Sequence, residues 1–213
     1  MLRFFCAAIA AAFLGAWASA DAAEHHGDGH ADAEIFAKLQ EGGYVLVMRH
    51  AHSPGGQKAA VGMSAGCRLQ PGRGLDAAGF YQARMLGEKL AENNVPILKA
   101  YTSMMCRAWD TAALTAGGGP VEAHPSQVST DPATIAAMKA QVAAELAANP
   151  GTNIILASHS NIAPLYGALV KDSEEELPEG VISVVDPESW RGLEGEMVRI
   201  ESGLPLSQSV TME

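Results

Sequence analysis

Residues 44–50 read Tyr-Val-Leu-Val-Met-Arg-His, five apolar side chains followed by two that are cationic or can become so. A continuous apolar run of this length is typical of a strand that is buried on both faces of a parallel sheet. Residues 153–157, Asn-Ile-Ile-Leu-Ala, predict a second strand of the same kind. Shorter strands are predicted over 98–102, 181–185 and 197–201.

Helical segments lie between these strands. Apolar periodicity and capping residues predict helices over 32–39, 75–93, 107–115, 131–148 and 162–170. Strands that alternate with helices predict an α/β fold, a three-layer sandwich with a mostly parallel central sheet. Residues 51–74 hold six glycines and two prolines and predict a long loop, which in a compact domain usually serves a site.

The beginning of the chain differs in composition from the rest. Residues 1–20 hold one basic residue, an apolar run and the ending Ala-Ser-Ala, which together predict a secretory signal peptide, with a membrane anchor as the alternative. Residues 21–31 are rich in glycine and histidine and predict a flexible N-terminus. Residues 32–213 then form one domain, located in the periplasm or secreted. The apolar run is too short for a stable membrane span.

The charge of the chain excludes some partners. Formal net charge is −10, and removal of residues 1–20 takes away one basic residue and no acid, which leaves 13 basic against 24 acidic residues. Such a domain is a poor partner for nucleic acid or an anionic membrane surface. Any site that binds an anion must be local.

Two cysteines remain after export, which predicts a Cys67–Cys106 disulfide in an oxidising compartment. The alternative is a pair of small buried apolar side chains. The segment 25–30, His-His-Gly-Asp-Gly-His, suggests weak metal binding, but a flexible tail is the favoured interpretation, because no helix or strand pre-organises these ligands. We expect no metal or cofactor in the site described next.

The predicted strands at 44–48, 98–102 and 153–157 each end at polar or cationic residues: Arg49 and His50, then Ser103 with Arg107 after it, then His159. The carboxyl ends of strands form the ligand crevice in open α/β sheets, so these side chains should converge. Arginine matches the oxygens of phosphate with paired donors, and a neutral imidazole can attack phosphorus. The sequence therefore predicts a phosphate site.

Four segments of the chain resemble the histidine phosphatase superfamily, also called the phosphoglycerate-mutase-like family. Residues 45–51 (VLVMRHA) resemble its R-H-G signature, and residues 75–83 (LDAAGFYQA) its L-T-x-x-G-x-x-Q-A helix. Residues 103–112 (SMMCRAWDTA) resemble S-x-x-x-R-A-x-x-T-A, and residues 155–161 (ILASHSN) the late G-H-S/N segment. The matches keep the family's order and cover about residues 42–172.

The resemblance implies a phosphoglycerate-mutase-like fold and a phosphohistidine mechanism. His50 would attack the phosphoryl group of a small phosphorylated substrate, and water would then release phosphate. Arg49, Arg107 and His159 would hold the phosphoryl oxygens. The surroundings of the two cysteines resemble a small exported branch that includes lipopolysaccharide core heptose phosphatases.

Further residues complete the predicted site. Ser103, Arg68 and Arg73 are candidate substrate-binding residues, with solvated loop charge as the alternative for the two arginines. The proton donor is not assigned by the resemblance, because the usual L-x-E stretch and H-D pair are absent. Glu179 is the candidate, and a solvated turn glutamate is the alternative reading of that residue.

Ala51 also departs from the family, which usually has glycine there. With the unassigned acid, this keeps open a non-catalytic module that binds a phosphorylated ligand on the same fold. A metal-handling protein that uses the histidines of residues 25–30 is a third hypothesis. Hydrolysis is expected rather than mutase or phytase activity, because the late region is short for a lid and lacks the H-D pair. Neither the identity of the substrate nor an oligomeric state is predicted.

Overall fold

The structure, a computed structural model, describes residues 28–55, 73–169 and 176–198. Within them the elements run in the order α1 (Asp28–Glu41), β1 (Val45–Arg49), α2 (Ala77–Glu92), β2 (Ile97–Thr102), α3 (Cys106–Thr115), β3 (Val121–Ala123), α4 (Pro132–Ala148), β4 (Asn153–Ser158), β5 (Ile182–Asp186) and β6 (Arg191–Val198), with 3₁₀ helices at Pro125–Gln127 and Ala163–Tyr166.

The described strands form one sheet in the order β3-β2-β4-β1-β5-β6. Strands β3, β2, β4 and β1 are parallel to one another. Strand β5 pairs with β1, and β6 pairs with β5, in the antiparallel direction. The predicted α/β fold with a mostly parallel sheet is confirmed. The parallel part places the carboxyl ends of β1, β2 and β4 at one edge of the sheet.

The side chains of β1 alternate between two hydrophobic cores. Leu46 and Met48 pack in one core with residues of α1, α2 and α3, and Val45 and Val47 pack in the other with residues of α4. All four are fully buried, and burial of each such side chain contributes about 1.5–3 kcal/mol. The sheet is therefore the middle layer of a three-layer sandwich.

Two helices begin where an aspartate caps them. Asp131 accepts a hydrogen bond from the Thr134 backbone N–H at 2.8 Å, and Pro132 occupies the first turn of α4, which spans the predicted residues. Asp76 accepts from the Gly79 N–H at 2.9 Å, so α2 begins at Ala77, two residues later than predicted.

The prediction of a helix over 162–170 is wrong. A single 3₁₀ turn, Ala163–Tyr166, stands there and ends at Gly167, whose φ of 84° lies in the left-handed region. A Cβ at Gly167 would lie 2.1 Å from the Trp190 carbonyl oxygen, so the close approach of these two backbones ends the helix.

Other elements differ from their predictions by their ends or their length. Strand β3 was not predicted, because an alternation over only three residues, Val-Glu-Ala, is too short to indicate a strand. Strand β6 begins at Arg191, six residues before the predicted strand, and its first residues, Arg-Gly-Leu-Glu-Gly, lack an apolar run. Helix α1 begins at Asp28, inside the stretch predicted to be flexible.

Several predictions fall outside the described residues and stay predictions. They concern the signal peptide at 1–20, the histidines of 25–30, Arg68 and the Cys67–Cys106 disulfide, of which only Cys106 is described, as a buried residue. Within the described ranges, no helix combines the length and the apolar character that crossing a membrane requires.

Candidate active site

His50 follows the last residue of β1 and is 3% exposed. Its backbone N–H donates to the Ser158 carbonyl at 3.0 Å, and its Nδ1 lies 2.8 Å from the Ala51 carbonyl oxygen. A carbonyl oxygen only accepts, so Nδ1 carries the proton and Nε2 keeps its lone pair. Burial lowers the pKa of His50 to about 3, so the imidazole is neutral near pH 7.

His159 follows β4, and its ring centroid lies 5.4 Å from that of His50. Arg107 Nη2 donates to His159 Nδ1 at 3.4 Å, so the ring proton is on Nε2, which donates to Ser103 Oγ at 2.9 Å. Burial, and then the charges of Arg107, Arg49 and Arg73, lower the pKa of His159 to about 4. Arg107, which can only donate, thus fixes the tautomer of His159, and Ser103 accepts from the ring.

Arg107 lies in the first turn of α3 and is 9% exposed. Its buried Nε and Nη1 atoms have no hydrogen-bond partner among the described residues. Burial, and the charge of Arg73, lower its pKa. A cation near a helix N-terminus is also disfavoured by the helix dipole. An anion bound beside Arg107 would offset all three costs.

Arg49, the last residue of β1, and Arg73 both reach the same carboxylate. Arg49 Nη2 lies 3.3 Å and Arg73 Nη2 3.5 Å from Glu179 Oε1. Arg49 Nη1 also donates to Glu176 at 2.9 Å, whereas its buried Nε has no partner in the described part of the chain. Arg73 Nη2 donates to the Ser53 carbonyl at 2.9 Å.

Glu179 lies inside the site. Its Oε1 is 3.8 Å from His50 Nδ1, its Oε2 accepts from the Ser53 N–H at 3.3 Å, and its side chain is 19% exposed. It is therefore not the solvated turn glutamate that was the alternative reading of the sequence. The carboxyl group stands beside the imidazole and between two guanidinium groups.

These side chains border a cavity of about 250 Å³. Its described lining combines cationic, apolar and neutral polar residues: Arg49, His50, Arg73, Met105, Arg107, Val128, His159, Ser160, Asn161 and Ile162. Two imidazoles and three guanidinium groups thus meet in one cavity of a chain whose formal net charge is −10. The arrangement suits an anion with several oxygen atoms.

The backbone after His50 is held by a residue that sequence reasoning missed. The Ala51 N–H donates to Thr111 Oγ1 at 2.9 Å, and that hydroxyl donates to the Arg107 carbonyl at 2.6 Å. Thr111 therefore links the backbone after His50 to the first turn of α3, which carries Arg107. The threonine of the S-x-x-x-R-A-x-x-T-A pattern was the signal that could have shown it.

A second missed residue is Gln82 on α2. Its Oε1 accepts from the His52 N–H at 3.0 Å, and its Nε2 donates to the Glu179 carbonyl at 2.8 Å. Gly79, one turn earlier, lets α2 approach this loop, because a Cβ there would lie 2.1 Å from the His52 carbonyl oxygen. Both residues belong to the G-x-x-Q part of the second matched segment.

The other histidine near the site does not belong to it. The His52 side chain lies 2.9 Å from Asp76 Oδ2 and does not line the cavity. Arg68 lies outside the described residues. Among residues that the structure describes, no group of three histidine, cysteine, aspartate or glutamate side chains is arranged to hold a metal ion.

Comparison with known proteins agrees with this geometry. The sequence profile of the histidine phosphatase superfamily (branch 1) matches residues 45–131, which include Arg49, His50 and Arg107. No curated protein matches the chain at a significant level.

Solved structures share the fold. The protein histidine phosphatase SixA complexed with tungstate is 18% identical, with a TM-score of 0.53, over 73% of this chain and 96% of SixA. A SixA protein from Agrobacterium tumefaciens is 17% identical, with a TM-score of 0.52, over 74% of this chain and 98% of its own. At these identities the likeness concerns the fold, and the profile match shows that residues 45–131 are similar to the histidine phosphatase superfamily.

Proposed function

We propose that this protein is an exported phosphatase that hydrolyses small phosphomonoesters through a phosphohistidine intermediate on His50. One observation carries the proposal. The Nδ1 proton of His50 is held by the Ala51 carbonyl, which leaves the Nε2 lone pair available in a cavity where buried N–H groups of Arg107 have no partner among the described residues. A phosphoryl group would satisfy the arginine and meet the nucleophile.

In the first step His50 Nε2 forms a bond to phosphorus while the bond from phosphorus to the ester oxygen breaks. Arg49 and Arg107 hold the non-bridging oxygens and offset their charge. The departing oxygen takes a proton from Glu179. The bound phosphoryl group competes with Glu179 for the guanidinium groups of Arg49 and Arg73.

In the second step a water oxygen bonds to phosphorus and the phosphorus–nitrogen bond of phosphorylated His50 breaks. The electron pair returns to Nε2, and Glu179 takes back a proton from the attacking water. Inorganic phosphate then leaves. The two steps use lining residues of the cavity together with the neighbouring Glu179, and the balance requires no oxidant or reductant.

The activity is tested by replacing His50 with alanine and measuring hydrolysis of p-nitrophenyl phosphate. His124→Ala is the matched control, because His124 is outside the cavity lining and its side chain hydrogen-bonds, among the described residues, to Ser126. We expect the His50 variant to lose turnover while it keeps its thermal transition and the control to keep both. Undiminished hydrolysis by the His50→Ala protein would refute the proposal.

A second candidate, a non-catalytic module that binds a phosphorylated ligand, is favoured by the ion pairs of Glu179 with Arg49 and Arg73. These pairs commit the carboxylate to charge balance instead of proton transfer. Tungstate, a tetrahedral oxoanion found in the SixA structure, is a suitable binding probe. Tight tungstate binding by a protein without turnover would favour the binding module.

Export is the remaining part of the proposal, and the predicted signal peptide at residues 1–20 supports it. Expression of the full chain in a bacterium with a periplasm tests it. We expect the mature protein in the periplasmic or secreted fraction, with an N-terminus at or a few residues after residue 21. Full-length protein retained in the cytoplasm would contradict export and leave the catalytic proposal standing.

A further inference from the structure

The amide of Gln82 connects the two loops that carry the proposed nucleophile and the proposed proton donor. Gln82 is 8% exposed and uses both ends of its amide, accepting from the His52 N–H at 3.0 Å and donating to the Glu179 carbonyl at 2.8 Å. Its orientation is fixed, because a flipped amide would face the His52 N–H with its own N–H and the Glu179 carbonyl with its own oxygen.

The glycine that follows Glu179 packs closely against the Gln82 amide. Gly180 has a φ of +69°, and a Cβ there would lie 2.1 Å from Gln82 Cδ. The Gly180 N–H also donates to the His50 carbonyl at 3.1 Å. The loop of Glu179 therefore rests on Gln82 at one point and on the backbone of His50 at another.

These contacts set where the Glu179 carboxyl group lies relative to the His50 ring. Glu179 Oε1 lies 3.8 Å from His50 Nδ1, and neither carboxylate oxygen is held by Gln82 itself. Gln82 acts on Glu179 through the backbone carbonyl of that residue. A proton donor that moves by about 1 Å can lose about 100-fold in rate, so this backbone contact matters to the transferred proton more than to phosphate binding.

We infer that Gln82 is a positioning residue that holds Glu179 where it can protonate the leaving oxygen. The inference rests on the proposed function, and in particular on Glu179 as the donor. It goes beyond a packing role for α2, because it predicts that loss of the Glu179 contact changes which esters the enzyme cleaves.

The Gln82→Glu variant tests it, because glutamate keeps an acceptor for the His52 N–H and loses the donor toward the Glu179 carbonyl. The assay is kcat/KM over phosphomonoesters of graded leaving-group acidity, from p-nitrophenyl phosphate through phenyl phosphate to an alkyl phosphate. We expect a loss of about 10- to 100-fold for the alkyl ester and little change for p-nitrophenyl phosphate, whose leaving group needs no proton.

Gln141→Glu is the matched control, since Gln141 is exposed on α4 and contacts Tyr101 and Glu145 away from the cavity. It should keep the parent's dependence on the leaving group. Thermal unfolding and tungstate binding by the Gln82→Glu protein establish that it is folded and that its anion site is intact. A Gln82→Met variant, which loses both contacts, should show a larger loss in the same direction.

Glu179→Gln and the double variant separate this inference from the proposed function. If Glu179→Gln loses activity mainly on poor leaving groups and the double variant loses no more, the inference is supported. If Gln82→Glu lowers kcat/KM equally for every ester, Gln82 is only structural and the inference is overturned. If Glu179→Gln itself shows no dependence on the leaving group, the proton donor is wrongly assigned and the inference fails with it, whereas the nucleophile role of His50 stands.

Discussion

Replacement of Arg107 by methionine should raise the stability of the ligand-free protein and weaken its binding of an oxoanion. Two buried N–H groups of Arg107, Nε and Nη1, have no partner among the described residues. A buried unsatisfied polar group costs about 1–3 kcal/mol, and an apolar side chain of similar length removes that cost. The variant should therefore unfold at a higher urea concentration, by about 1–3 kcal/mol in unfolding free energy.

Binding should change in the opposite direction. Hydrogen bonds to charged groups contribute about 1.5–3 kcal/mol each, so the loss of two donors to an oxoanion corresponds to about 3–6 kcal/mol. The Kd for tungstate should then rise by about 10²- to 10⁴-fold, measured by calorimetry. Arg107→Lys should show an intermediate loss, because lysine keeps the charge without the paired donors.

The matched control is Arg84→Met, because the Arg84 side chain is 61% exposed and, among the described residues, forms its ion pair with Glu88 on the surface of α2. It should change neither stability nor tungstate affinity by much, as surface ion pairs contribute about 0–1 kcal/mol. An Arg107→Met protein that is less stable than the parent and binds tungstate equally well would refute the reasoning, since Arg107 would then be a structural residue.

Three further predictions concern pH and the loop after the nucleophile. Burial lowers the pKa of His50 to about 3 and that of His159 to about 4, so below the ordinary value of 6.5 the unfolded chain binds protons that the folded chain does not. The unfolding free energy should fall as pH decreases from 6.5, by up to about 1.4 kcal/mol per pH unit for each histidine. Urea titrations at several pH values measure this dependence. If a His50→Asn variant shows the same change of unfolding free energy with pH as the parent, the reasoning is contradicted. Gly79→Ala places a Cβ 2.1 Å from the His52 carbonyl oxygen and should lower the unfolding free energy by about 1–3 kcal/mol and remove most of the turnover. A variant that is as stable and as active as the parent would contradict the close approach of α2 to this loop. Thr111→Val removes the acceptor of a buried backbone N–H and should cost about 1–3 kcal/mol and lower kcat more than it changes KM. The control is Thr115→Val, one turn further along α3, whose hydroxyl donates to the Ala83 carbonyl; an equal loss of kcat in this control would contradict a specific role for Thr111.

The sequence predicted the parts of the fold that local patterns control. The apolar runs at 44–48 and 153–157 are β1 and β4, and the capping residues Asp76 and Asp131 mark the starts of α2 and α4. Each is a local signal, a run of buried side chains or a cap followed by a periodic segment. Because parallel neighbours share an edge, these strands also indicated where cationic side chains would meet.

Contacts between distant segments were not readable in the same way. The 3₁₀ turn at Ala163–Tyr166 ends early because Gly167 packs on the Trp190 carbonyl, and nothing near Gly167 in the sequence announces that contact. The position of Glu179 depends in the same way on Arg49, Arg73 and the amide of Gln82. A local reading of three consecutive glutamates (174–176) followed by Leu-Pro-Glu left a proton donor and a solvated turn residue as alternatives for Glu179.

The supporting residues Thr111 and Gln82 were missed for a related reason. Their side chains bond to backbone groups of Ala51, His52 and Glu179 rather than to a ligand. A search for residue types that catalyse reactions or bind ligands would therefore not identify them. Both residues lie within segments that resemble the family's patterns, which was the available signal. Only the structure shows which groups the two side chains bind.

The most direct test of the account is the site of the phosphoryl group on protein that is quenched during turnover. Nδ1 of His50 is held by the Ala51 carbonyl, so the phosphoryl group should be trapped on Nε2 of His50. Base-stable, acid-labile label that mass spectrometry maps to His50 and phosphorus NMR assigns to Nε2 is the predicted result. Label on another residue or on Nδ1, or turnover with no trapped phosphohistidine from any donor, would contradict the account.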